Sequence, residues 1–170
     1  LKDLGQLDGA MASYAQALKI KPDYVEAHSN LGAALQDLGQ LDGAVASYAQ
    51  ALEIKPDLAE AHNDLGNALH ALGQIGGAAA SYRRALEIKP DYAEAHSNLG
   101  NALKDCGQLD GAVENCRRAL ELKPDFAEAH YNLANTLLEL GQYDDAVANY
   151  RRTLAIKPDS AEAHSNLLFA

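Results

Sequence analysis

Tryptophan is missing from this chain of 170 residues, phenylalanine occurs twice and methionine once. Tryptophan and phenylalanine can therefore contribute little to a core, and much of the burial has to come from smaller apolar side chains. Two cysteines, Cys106 and Cys116, are too few and too close in sequence to frame a disulfide-stapled fold. We expect both to be reduced, which leans toward a cytoplasmic protein. Basic residues number 14 against 24 acidic ones, a net charge of 14 − 24 = −10. They are scattered rather than clustered, which leaves no surface to track phosphates and speaks against a nucleic-acid partner. No apolar run approaches the roughly 20 residues that cross a bilayer. The start, Leu-Lys-Asp-Leu-Gly-Gln, has no signal-peptide layout, so no membrane enters the reading.

What the chain does have is alanine and leucine, 33 and 26 copies, within a composition that is 48% hydrophobic and 22% charged. These two residues lead the helix-propensity ranking, and β-branched residues are scarce. The length is 5 × 34, and 34 is the period of the sequence. Lys-Pro-Asp recurs from Lys21, Lys55, Lys89, Lys123 and Lys157. Gly5, Gly39, Gly73, Gly107 and Gly141 keep the same step, as do Ala10, Ala44, Ala78, Ala112 and Ala146. A third column is His28, His62, His96, His130 and His164.

Punctuation divides each copy into two helices of about 13 residues. In residues 25–58 the first helix follows Asp23, which with Glu26 forms a capping-box-like start. It should stop at Gly39, which can adopt the left-handed conformation that closes a helix. The second starts near Asp42, carries Ala44, Val45, Tyr48, Ala51 and Leu52 at helical spacing, and ends before Pro56. Such a hairpin cannot bury its apolar stripe alone, so copies must stack. Small residues, Gly32 with Ala44 and Gly66 with Ala78, let backbones approach, while Leu31, Leu35, Tyr48 and Leu52 fill the space around them.

The unit resembles the tetratricopeptide repeat, through Leu31, Gly32, Leu35, Gly39, Ala44, Tyr48, Ala51 and Pro56. The likeness covers the whole chain and implies an all-α fold, a right-handed α-solenoid of stacked antiparallel helix pairs. In frame, complete repeats are 25–58, 59–92, 93–126 and 127–160, with partial ones at 1–24 and 161–170. Departures are local. Cys116 stands where other copies have Tyr14, Tyr48, Tyr82 and Tyr150, which suggests looser packing there. Ala134 and Leu168 replace the Gly32-type glycine.

No catalytic constellation emerges, so no enzymatic activity and no cofactor are expected from these residues. The histidine column suggests a metal row, but successive repeats lie roughly 10 Å apart at helix-packing distance, against metal bonds of about 2 Å. We expect these imidazoles to pack between repeats. His70, outside the column, reads as a surface residue. Cys106 and Cys116 occupy the apolar columns of Leu38 and Tyr48 and read as packing residues. Gly76-Gly77 replaces an Asp42-type residue and weakens the start of one second helix.

In tetratricopeptide arrays the first helices line the concave face, and by that resemblance two polar rows fall on it here. Asn30, Asn98, Asn132 and Asn166, interrupted by Asp64, form one. Glu26, Glu60, Glu94, Glu128 and Glu162 form the other. An asparagine amide both donates and accepts, matching the backbone of an extended peptide without reading its side chains. A row whose members are about 10 Å apart would meet such a peptide at every third residue, at ~3.3 Å per residue. The row is similar to the asparagine ladder of O-linked N-acetylglucosamine transferases, which holds extended protein substrate. That likeness implies peptide contacts at Asn30, Asn98, Asn132 and Asn166, with Asp64 unable to donate. Asn67, Asn101 and Asn135, together with Glu60, Glu94 and Glu128, complete the candidate set.

The sequence thus points to a protein-interaction scaffold holding an extended protein or peptide segment. The alternative is the substrate-recognition repeats of a larger glycosyltransferase. Capture of acidic C-terminal peptides is disfavoured by glutamates on the same face. The pairs Arg83-Arg84, Arg117-Arg118 and Arg151-Arg152 are placed on second helices, facing outward or paired with carboxylates. The partial repeats are complementary, 24 + 10 = 34, and the last helix ends in Leu167, Leu168, Phe169 and Ala170. Residues 161–170 of one molecule are therefore expected to dock on 1–24 of the next, as in a piece of a longer array.

Overall fold

The computed structural model describes residues 2–168, with side chains from residue 9 on. The chain divides into two compact units, Leu1–Lys89 and Pro90–Ala170. The first holds α1 (Lys2–Ile20), α2 (Val25–Asp37), α3 (Leu41–Ile54), α4 (Ala59–Ala71) and α5 (Ile75–Ile88). The second holds α6 (Ala93–Asp105), α7 (Leu109–Leu122), α8 (Ala127–Glu139), α9 (Tyr143–Ile156) and α10 (Ala161–Leu167). No strand occurs among the described residues.

The inner turns follow from glycine. Gly39, Gly73, Gly107 and Gly141 have φ of 72–74°, the left-handed region where a Cβ would be strained. At the first of them the Gly39 amide donates to the Gln36 carbonyl at 2.9 Å and Gln40 to Leu35 at 2.8 Å, the paired bonds that satisfy the last carbonyls of a helix. Gly5 behaves differently: α1 runs unbroken through it.

Helix starts also differ from the expectation. The N-caps of α2, α4, α6 and α8 are Tyr24, Leu58, Tyr92 and Phe126, and none makes a side-chain capping bond. Asp23 lies one residue too early. At α10 the cap is Ser160, whose Oγ accepts from the Ala163 amide at 3.3 Å.

Two hairpins close by placing a ring against a glycine. A Cβ on Gly32 would sit 2.8 Å from Cε1 of Tyr48, and one on Gly66 2.7 Å from Cδ1 of Tyr82. Where Cys116 replaces the ring, the chain closes in rather than leaving a hole. A Gly100 Cβ would meet Cys116 Sγ at 2.5 Å and the Ala112 carbonyl at 3.1 Å, and Cys116 is fully buried. Around these contacts the first unit buries Ala44, Tyr48 and Ala68 against Leu35, Val45 and Leu65. The second buries Val113, Cys116, Leu133, Ala134, Leu137, Ala146, Tyr150 and Ala163 together. First helices of neighbouring repeats touch, α2 with α4 and α6 with α8, so each unit presents a shared first-helix face.

Candidate functional site

In the first unit, that face carries Asn30, exposed on α2, with Asp64 and Asn67 half-buried on α4. The Tyr82 hydroxyl donates to Asn67 Oδ1 at 2.9 Å. Asn63 Nδ2 donates to Asp64 Oδ1 at 3.4 Å. Burial raises the Asp64 carboxyl above its ordinary range; the Asn63 bond pulls it down and Glu60 pushes it up again. Tyr48 is raised as well, by burial first and then by Asp64 and Asp37. Exposed Glu60 meets Lys89 Nζ at 3.4 Å.

In the second unit the asparagines have acquired neighbours. Asn132 is 6% exposed, and its Nδ2 donates to Ser97 Oγ at 3.1 Å. Asn166 Nδ2 reaches Tyr131 Oη at 3.2 Å and Asn135 Oδ1 at 3.0 Å. The same Asn135 oxygen accepts from Tyr150 Oη at 2.6 Å, and the Tyr131 and Tyr150 rings lie 6.0 Å apart. Burial raises the Tyr150 phenol, the Asn166 bond lowers it, and Tyr131 raises it. Asn98 and Asn101 are half-buried on α6. Glu94 pairs with Lys123 at 3.0 Å, while Glu128 is exposed. Lys104 lies 2.8 Å from Asp105 and 4.0 Å from Glu139, so its charge is offset locally.

Partners for the row were overlooked in the sequence, yet they leave a signal. Ser97 precedes Asn132 by 35 residues and Tyr131 precedes Asn166 by 35, one repeat plus one position. A side chain at the fifth place of a repeat therefore meets the sixth place of the next. Serine and tyrosine there give the amide a partner.

The histidine column staples each first helix to the loop before it. Nε2 of His28, His62, His96, His130 and His164 donates to the carbonyl of Pro22, Pro56, Pro90, Pro124 and Pro158, at 2.9–3.1 Å. Among the described residues no three His, Cys, Asp or Glu side chains gather as a metal site. Burial pushes the Cys116 thiol up to about 12, whereas Cys106 is exposed at the end of α6, unlike the packing residue expected. His70 is half-buried rather than at the surface. Arg84 pairs with Glu87 at 2.7 Å and Arg118 with Glu121 at 2.8 Å, and Arg152 pairs with Asp125. The second unit also holds a polar cleft of about 560 Å³ lined by His96, Asp110, Asn115, Arg117 and Gln142 among others. A smaller cavity, about 340 Å³, lies by Tyr131 and Ser160. Phe169 and Ala170, the end of the expected docking helix, and the first eight side chains lie outside the described residues.

Stacked hairpins with a polar face shared by their first helices define a helical-repeat scaffold. A family model described as TPR repeat matches residues 1–39, 34–73, 66–105 and 100–141, and one described as Tetratricopeptide repeat matches 127–160. The chain belongs to the tetratricopeptide repeat family. Among solved structures, it is similar to MamA at 27% identity, with a TM-score of 0.82 over 95% of this chain and 94% of that one. It is similar to YrrB, described as a TPR protein with an unusual peptide-binding site, at 25% identity and a TM-score of 0.78 over 98% and 86%. A third is TTC0263, a thermophilic TPR protein of Thermus thermophilus, at 26% identity and a TM-score of 0.78 over 99% and 92%. No curated protein matches the chain in sequence. Among the described residues no helix is long and apolar enough to cross a membrane.

Proposed function

We propose that the protein is a non-catalytic interaction scaffold that holds an extended peptide or protein segment against the first-helix faces of its repeats. The observation that carries this reading is the set of amides that solvent still reaches on those faces. Asn30 is exposed, and Asn67, Asn98 and Asn101 are half-buried. Each amide can donate to and accept from a peptide backbone. The peptide-binding site in the name of YrrB supports the same use of the fold.

Roles divide along the row. Asn132, Asn135 and Asn166 hold neighbouring repeats and helices together through Ser97, Tyr131 and Tyr150. They shape the face, while Asn30, Asn98 and Asn101 contact ligand. Glu26 and Glu128 give the face a negative charge, which selects against acidic segments, while Glu60 and Glu94 are offset by Lys89 and Lys123.

The test is binding of the whole chain to an array of unrelated extended peptides, repeated with Asn98→Ala and Asn101→Ala. A backbone-reading face loses affinity for most peptides at once. Undiminished binding by the double variant would assign recognition elsewhere.

A further inference from the structure

The column of Tyr24, Leu58, Tyr92 and Phe126, each the residue before a first helix, continues as Ser160. In two of these repeats the lysine three residues earlier lies over the ring. Lys21 Nζ is 5.2 Å from the Tyr24 centroid and Lys123 Nζ 4.6 Å from that of Phe126. Lys123 and Lys89 also reach back to the glutamate of their own first helix, Glu94 and Glu60. In the 127–160 repeat both contacts are missing, as they are in 25–58, where Leu58 fills the column and Lys55 and Glu26 form no ion pair with any described residue. Ser160 offers no ring and instead caps α10. Lys157 and Glu128 form no ion pair with any described residue.

In that repeat a cavity of about 340 Å³ is lined by Ala127, Tyr131, Thr153 and Ser160, with Lys157 and the carboxylates of Glu128 and Glu162 beside them. It is at the small end of ligand-site volumes, suited to one side chain. The other repeats say which one. Three of the five residues in the column are aromatic, and at Tyr24 and Phe126 the lysine supplies a cation to the ring face. Here that lysine stands over empty volume.

We propose that this cavity is an aromatic side-chain subsite, in which a phenylalanine or tyrosine of the bound segment takes the place of the ring that Ser160 lacks. The proposal rests on the reading of the first-helix faces as peptide-binding. Ala127 and Tyr131 supply apolar contact for the ring, and the Tyr131 ring can pack edge to face with it. Lys157 closes over its face. Glu128 and Glu162 repel an acidic side chain. An aliphatic side chain gains burial but not the cation, so it binds more weakly.

The experiment titrates the whole chain with N-acetyl-phenylalaninamide, N-acetyl-leucinamide and N-acetyl-glutamic acid amide, following the backbone amides of Ala127, Tyr131 and Ser160 by NMR. We expect saturable shifts with the aromatic probe, weaker ones with leucine and none with the acid. Lys157→Gln, a surface change that leaves the fold alone, weakens the aromatic probe about two- to five-fold. Ser160→Phe returns the ring to its column and abolishes the shifts. No saturable shift, equal shifts from the acidic probe, or full aromatic binding by a folded Ser160→Phe protein would each overturn the subsite. Failure of the face as a whole is a different result: on the peptide array, binding without preference for aromatic residues sinks the subsite alone, and no peptide binding sinks the broader reading.

Discussion

One methyl group on Gly66 tests whether the contact between glycine and ring sets the spacing of each hairpin. Its Cβ would lie 2.7 Å from Cδ1 and 2.9 Å from Cζ of Tyr82, well inside ordinary carbon contact. The ring cannot easily retreat. Tyr82 is 2% exposed, and its hydroxyl is tied to Asn67 at 2.9 Å. Overpacking at such a site costs about 3 kcal/mol, the upper end of the usual range. Replacing a mid-helix glycine by alanine returns about 1 kcal/mol. The net expectation for Gly66→Ala is a loss of about 2 kcal/mol, or 4–8 °C in Tm for a chain of roughly this length.

Repeat proteins can open piecewise, so the sharper assay is amide hydrogen exchange. Protection in α4 and α5 should fall about thirty-fold, while the amides of α8 and α9 keep theirs. The 127–160 repeat shows that the packing can be built around a methyl, since Ala134 and Tyr150 are both fully buried there. If α4 and α5 adjust as freely, Gly66→Ala will be as stable as the starting protein or more so, and the ring-against-glycine account fails. Tyr82→Leu should remove most of the Gly66→Ala penalty, because the two changes act on one contact.

Gly76 is exposed with nothing near its missing Cβ, and α5 has no acid in its first turn, unlike α3, α7 and α9. Gly76→Asp should stabilise by about 1 kcal/mol through propensity and the helix dipole, and thermal melts should show the gain shrinking in high salt. Asp64, raised by burial, contributes stability below its unfolded value of about 3.9 and loses it as pH rises through the folded one. Asp64→Asn should therefore raise the denaturant midpoint at pH 7 and leave it unchanged near pH 3; a gain that persists in acid would refute the burial account. Iodoacetamide at mildly alkaline pH should label exposed Cys106 and spare Cys116 until the chain is unfolded. Because the Cys116 thiol moves from 9.0 to about 12 on folding, stability should decline as pH rises across that window.

The architecture was legible in the sequence because it rests on local rules applied repeatedly. Lys-Pro-Asp, the single glycine and the 34-residue step place helix ends within a residue or two of where they fall. Two local rules misled. Asp23 resembles a cap, but the chain enters α2 with Tyr24 at that position, where the ring lies under Lys21 instead. Gly5 resembles a helix stop, but α1 runs through it unbroken.

The asparagine row was legible as a row and not as a site, and the reason is physical. A column states that one residue type recurs at one place on a helix. It does not state what stands opposite, which depends on a second column displaced by one position. Where that second column supplies Ser97 or Tyr131, the amide of Asn132 or Asn166 turns inward and joins repeats. Within a repeat, Asn63 donates to the Asp64 carboxylate beside it at 3.4 Å, and that carboxylate remains partly desolvated. Cys116 acts in the same indirect way: by replacing the tyrosine that bonds Asn67 and Asn135 in other repeats, it takes the hydroxyl away from Asn101. Identical residues in a repeat array therefore diverge in role without changing themselves, and a ligand-contacting asparagine is found by asking which neighbours have lost the means to occupy it.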